Sequence, residues 1–196
     1  MTRLTGSLGP FRAVLAGILA LALGACSTPA PAPETIAPPA PIGDFKLGYA
    51  IVVAKDAQKG PLSRTATADE LVAAMKSELE RVFRPIEGNR FYHIAVTIDA
   101  YVLARPGIPI VASPKSALIF TVRIWDDARQ KQLFEKPKQF TVIERFRARS
   151  IFGSGLTMTK EQQLAELVQT GVKQIESWMR KNEALFRDPG KDATDS

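Results

Sequence analysis

Residues 27–42 read STPAPAPETIAPPAPI, and no other stretch restricts the fold of this chain as much. Proline lacks a backbone N–H and fixes φ, so neither a helix nor a central strand runs through such a segment. Glu34 is its single charge, it holds no aromatic residue, and it cannot pack a core. In the extended polyproline-like form, at about 3.1 Å per residue, it spans roughly 50 Å. It therefore reads as a tether, and the folded domain must be built from the residues C-terminal to it, starting near Asp44.

That domain is expected to cover residues 44–187, with 188–196 a polar tail. A composition of 45% hydrophobic and 23% charged residues suits one globular unit. A single cysteine excludes an internal disulfide and any multi-cysteine metal site, so stability must come from a hydrophobic core. Phe45, Leu47, Tyr49, Ile51 and Val53 alternate with more polar or smaller residues, which predicts a strand with these five on one face. Thr67 and Glu70 form a capping box, and Leu71, Val72, Met75, Leu79, Val82 and Phe83 then recur at helical spacing until Pro85 and Gly88. Residues 92–103 predict a second strand with Ile94, Val96, Ile98, Ala100 and Val102 inward and Thr97, Asp99 and Tyr101 outward.

Residues 116–125 predict a third strand, with Leu118, Phe120, Val122 and Ile124 inward. After a polar turn at 126–132, a fourth returns through residues 133–145, bulged near Pro137. The apolar Ile108, Ile110 and Val111 in the preceding connection are expected to plug an edge of the core, an exposed apolar surface being the alternative. Thr159 and Gln162 open a second helix whose apolar stripe runs from Leu164 to Met179. The order β-α-β-β-β-α predicts an α+β fold: an antiparallel four-stranded sheet with two helices packed on one face.

Groups for catalysis are few. His93 is the sole histidine, no GxSxG nucleophile elbow or phosphate-binding GxxxxGK[ST] loop is present, and Asp126-Asp127 falls where turn chemistry explains it. No metal site, cofactor or enzymatic activity is expected. The one catalytic alternative is a hydrolase or lipid-binding enzyme using His93 and Asp99. Charge is more telling. Between Arg123 and Arg149 stand eight basic residues against four acidic ones, and Arg145, Arg147 and Arg149 alternate, forming a candidate ridge for an anionic partner. A solvated strand edge protected by charge explains the same residues.

The N-terminal residues set the address. Arg3 and Arg12 precede the uncharged, Ala- and Leu-rich run 13–23, about a dozen residues where roughly 20 are needed to span a bilayer, so 1–25 reads as a signal peptide. Leu23-Gly24-Ala25-Cys26 resembles a bacterial lipobox, whose family transfers diacylglycerol to the cysteine, cleaves before it and acylates the new amine, commonly with palmitate. An ordinary secretory peptide with a chance cysteine is the alternative. Without residues 1–25, the 26 basic residues lose Arg3 and Arg12 and face 20 acidic ones, a net charge of +4. Ser27, where the enterobacterial retention signal has Asp, resembles an outer-membrane address. In layout the chain is similar to small Gram-negative envelope lipoproteins: the lipopolysaccharide-assembly lipoprotein, auxiliary lipoproteins of lipid-transporting ABC systems, and uncharacterised lipoprotein families. The resemblance implies a domain held in the periplasm by lipid on Cys26, a non-enzymatic accessory or binding subunit in envelope transport or assembly. Its partner would be an envelope protein or anionic lipid, and not nucleic acid.

Overall fold

A strand alternating in burial, β1 (Phe45–Val53), lies beside and parallel to β3 (Arg90–Val102) in the computed structural model, which describes residues 39–105, 115–144 and 158–187. Parallel neighbours cannot be joined by a tight turn, and the chain crosses over through helix α1 (Ala68–Phe83). β4 (Ala117–Asp126) then pairs antiparallel with β3. The sheet is thus mixed, which corrects the expected antiparallel one: alternation identifies a strand but carries no information about its direction. Among the described residues six strands fill four lanes. The two-residue β2 (Gln58–Lys59) extends the lane of β1 along β3, and the returning strand is split into β5 (Lys131–Gln132) and β6 (Lys138–Ile143), both against β4.

The helices begin where the capping boxes place them. Thr67 Oγ1 accepts the Glu70 N–H at 3.1 Å and the Glu70 carboxylate accepts the Thr67 N–H at 2.8 Å. Thr159 and Gln162 repeat the exchange at the start of α2 (Lys160–Lys181). Each such cap contributes about 1 kcal/mol. The Lys160 ammonium reaches Glu70 at 2.6 Å and joins the two helix starts, and this hydrogen bond is the main reason the Glu70 carboxyl sits below its ordinary pKa.

Both helices cover one face of the sheet, and their apolar stripes share a single core with the inward side chains of all the long strands. α2 approaches closely over β4, because a Cβ on Gly171 would lie 2.8 Å from the Phe120 ring. A 3-10 helix, Glu183–Phe186, returns Phe186 to the core, where its ring lies 5.8 Å from Phe45 and 5.2 Å from Tyr92. The chain joins the domain beside it: Arg180 donates to the carbonyls of Ala40 and Pro41, Ile42 is buried, and the Asp44 N–H donates to the Phe186 carbonyl.

Two bulges decide which side chains face outward. In β1 the register slips between Leu47 and Ala50, so Phe45, Leu47, Ala50 and Ala54 point inward while Tyr49, Ile51 and Val53 turn out. In β3 it slips between Ile98 and Ala100, which sends Tyr101 and Leu103 into the core. These faces correct the expected ones. An extra residue inverts every side chain beyond it, and a count in twos misses that. The expected plug residues Ile108, Ile110 and Val111 lie outside the described residues, as does the tail 188–196.

Candidate binding surface on the open sheet face

The bulge in β1 is built around a glycine and the histidine. Gly48 has no Cβ, and the imidazole of His93 occupies the space one would need, close against its Nδ1 and Cε1. His93 Nδ1 accepts the backbone N–H of Tyr49 at 3.1 Å, and Nε2 lies 3.2 Å from Asp127 Oδ1. With Nδ1 accepting from Tyr49, Nε2 is the ring nitrogen left to donate to Asp127 Oδ1. Turned outward by the bulge, the Tyr49 ring packs 5.1 Å from His93, whose strand partner across β4 is Trp125. One row of rings therefore crosses three strands.

Around that row the sheet carries apolar side chains on the face the helices leave open. Tyr49 is 69% exposed, Ile51 51%, Phe91 49%, Val53 46% and Trp125 41%. The Lys46 ammonium sits 5.4 Å over the Phe91 ring, and exposed Arg123 stands between Trp125 and Thr121 on the same face. Isolated exposed apolar residues are ordinary, whereas a contiguous set of Trp, Tyr and Arg with aliphatic neighbours is the composition of a contact surface. The polar groups at its ends are engaged: Asp99, the extra residue of the β3 bulge, accepts from Thr121 Oγ1 at 2.7 Å and Gln139 Nε2 at 3.1 Å.

His93 and Asp99 stand apart on the open face. They sit six residues apart along β3, about 20 Å at strand rise, and each is committed to cross-strand bonding. Among the described residues no group of three or more His, Cys, Asp or Glu could hold a metal ion. A cleft between β6 and α2, lined by Val142, Glu144, Gln163, Glu166 and Thr170, has about 90 Å³, small beside the roughly 300–1,000 Å³ of ordinary ligand sites. Cys26, Leu23, Gly24 and Ala25, and the ridge Arg145, Arg147 and Arg149, all lie outside the described residues. No helix among the described residues is long and apolar enough to cross a membrane.

Beneath the aromatic row, Asp126 is fully buried and takes two hydrogen bonds from the Arg90 guanidinium, at 2.9 and 3.1 Å, and one from the Arg129 N–H at 3.1 Å. This fixes the β4–β5 turn that presents Asp127 to His93. Next to it the Tyr92 hydroxyl is buried with no hydrogen-bond partner among the described residues, and burial, reinforced by the Asp126 carboxylate, pushes the phenol above its ordinary pKa of 10.0.

Neither a protein-family model nor a curated protein matches the chain. Solved structures do. The chain is similar to a Xanthomonas campestris protein assigned to DUF330, at 13% identity over 70% of this chain and 91% of that one, with a TM-score of 0.41. It is similar to PelC from Paraburkholderia phytofirmans, solved as a dodecamer, at 11% identity over 67% and 91% with a TM-score of 0.33. A third is a minor lipoprotein from Acinetobacter baumannii, at 15% identity over 66% and 92%, TM-score 0.31. At such identities the likeness is one of chain path and assigns no role to any residue.

Proposed function

We propose that this protein is a non-enzymatic lipoprotein of the Gram-negative envelope. Lipid on Cys26 holds it to the outer membrane, and it acts as an accessory or binding subunit in transport or assembly. The observation that carries the binding role is the open sheet face, where five large apolar side chains and two cations stand exposed while His93 and Asp99 are locked into cross-strand bonds. A folded domain leaves such a surface open where something covers it in use. The tether supplies reach, and Arg145, Arg147 and Arg149 supply a second, basic contact for an acidic partner.

Crosslinking in cells followed by affinity purification tests this reading. Wild type should capture an envelope component, and changing Arg145, Arg147 and Arg149 together to Glu should lose it. A His93→Ala variant that abolishes the cellular phenotype while the domain stays folded would instead support chemistry at the histidine. An unchanged partner set in the triple variant would rule out the ridge as a contact.

A further inference from the structure

The open face has a direction. The chain joins the domain at Ala40–Asp44, clamped by Arg180 and Phe186, and passes straight into β1. The first outward residues of that strand are Lys46 and, within the bulge, Tyr49. The aromatic and basic end of the open face, with Lys46, Phe91, Tyr49, Trp125 and Arg123, is thus the end nearest the tether. From Cys26 to Ala40 a fully extended tether measures only about 45 Å, so this end is held within reach of the surface that carries the anchor.

Its chemistry fits that surface. Trp and Tyr rings favour the headgroup level of a bilayer, and nearby cations favour anionic lipid. Lys46 and Arg123 are exposed, with Lys131 and the Asp126-paired Arg129 adjoining; of the acids at this end, Asp127 is drawn onto His93, Asp44 accepts from Asn89 and Asp126 is buried against Arg90. A second copy of the chain fits less well. Face to face, the two copies would oppose like charges, and along the β1 edge that borders this face the bulge interrupts the hydrogen-bonding row a partner strand needs. We infer that the outward face around Tyr49, Phe91 and Trp125 docks on the anionic bilayer surface that holds the lipid anchor, laying the domain down on its sheet with both helices turned away. The inference rests on the anchored reading above.

The test uses the full lipidated chain in vesicles of phosphatidylethanolamine and phosphatidylglycerol, with and without brominated acyl chains. Trp125 and Trp178 are the only two tryptophans, so a Trp178→Phe chain reports Trp125 alone. Docking predicts that Trp125 emission shifts blue and is quenched by the brominated lipid, and that Lys46→Glu with Arg123→Glu relieves the quenching although the chain still floats with the vesicles. Each cation is worth about a fivefold change in the docked-to-undocked ratio, lost as salt is raised. If Trp178→Phe fails to fold, Trp125→Phe in the parent chain gives the same answer, because quenching should vanish with Trp125. Flotation with Trp125 unquenched overturns the docking and leaves the anchor standing. Failure to float overturns both. Trp125 shielded only within a crosslinked pair of chains assigns the face to a second copy and overturns the inference.

Discussion

Replacing Tyr92 by Phe should stabilise this protein. The ring is fully buried between Phe45 and Phe186, with centroids 5.7 and 5.2 Å away, and Phe keeps all of that packing. The hydroxyl is buried with no hydrogen-bond partner among the described residues. Mutational data put the cost of an uncompensated buried hydroxyl at about 1–3 kcal/mol, so deleting it should return about 1–2 kcal/mol. Urea unfolding should then move to a higher midpoint with an unchanged slope, and thermal unfolding should rise by roughly 2–4 °C per kcal/mol for a domain near this size. pH supplies an independent reading. The folded phenol titrates above the unfolded one, so above pH 10 the unfolded chain binds fewer protons than the folded one and stability falls as pH rises. Tyr92→Phe should remove that alkaline loss. A variant less stable than wild type by about 1 kcal/mol at neutral pH would overturn this expectation, because it would mean that the hydroxyl is satisfied, for instance by a buried water.

Three further perturbations probe the support of the open face. Asp126→Ala strips a buried carboxylate from Arg90, whose side chain is 12% exposed, and should cost about 3–5 kcal/mol by denaturant titration, with most of it recovered when Arg90→Met accompanies Asp126→Leu. Gly48→Ala should cost about 1–3 kcal/mol by driving a methyl group into the His93 ring; in a His93→Ala background the cost should shrink, and a double-mutant cycle showing additivity would contradict the fit of ring to glycine. Glu70→Gln keeps the capping geometry but loses the charge opposite Lys160. Because the folded carboxyl titrates below its ordinary value of 4.5, its stabilisation is present above that value and is lost as pH falls through the folded one, so variant and wild type should converge in acid. A gap that persists well below both values would count against the ion pair.

Local chemistry was legible in the sequence wherever one short motif decides the structure. Thr67 with Glu70 and Thr159 with Gln162 place both helix starts, and the helical stripes from Leu71 to Phe83 and from Leu164 to Met179 face the core. What the pattern hides is non-local. The direction of β1 depends on the crossover through α1, and the outward turn of Tyr49, Ile51 and Val53 depends on one extra residue opposite His93. Alternation alone therefore assigns the open face to the core. Gly48 was the available signal, since glycine inside an alternating run marks a bulge or a close approach. Phe186 gives no such signal, because a single 3-10 turn has no periodicity to detect. Asp99, a candidate catalytic partner of His93 on sequence grounds, is the bulge residue of β3, and its polarity serves Thr121 and Gln139.

Whether this domain hangs from a membrane by lipid on Cys26 is decided by intact-mass analysis of the chain extracted from cell membranes. A lipid anchor requires a polypeptide that begins at Cys26 and carries the added mass of a diacylglyceryl group and an amide-linked acyl chain, with Cys26→Ala lacking that mass and leaving the membrane fraction. A chain that begins elsewhere, or an unmodified cysteine in a protein that still sediments with membranes, would show that something other than this lipid holds it there.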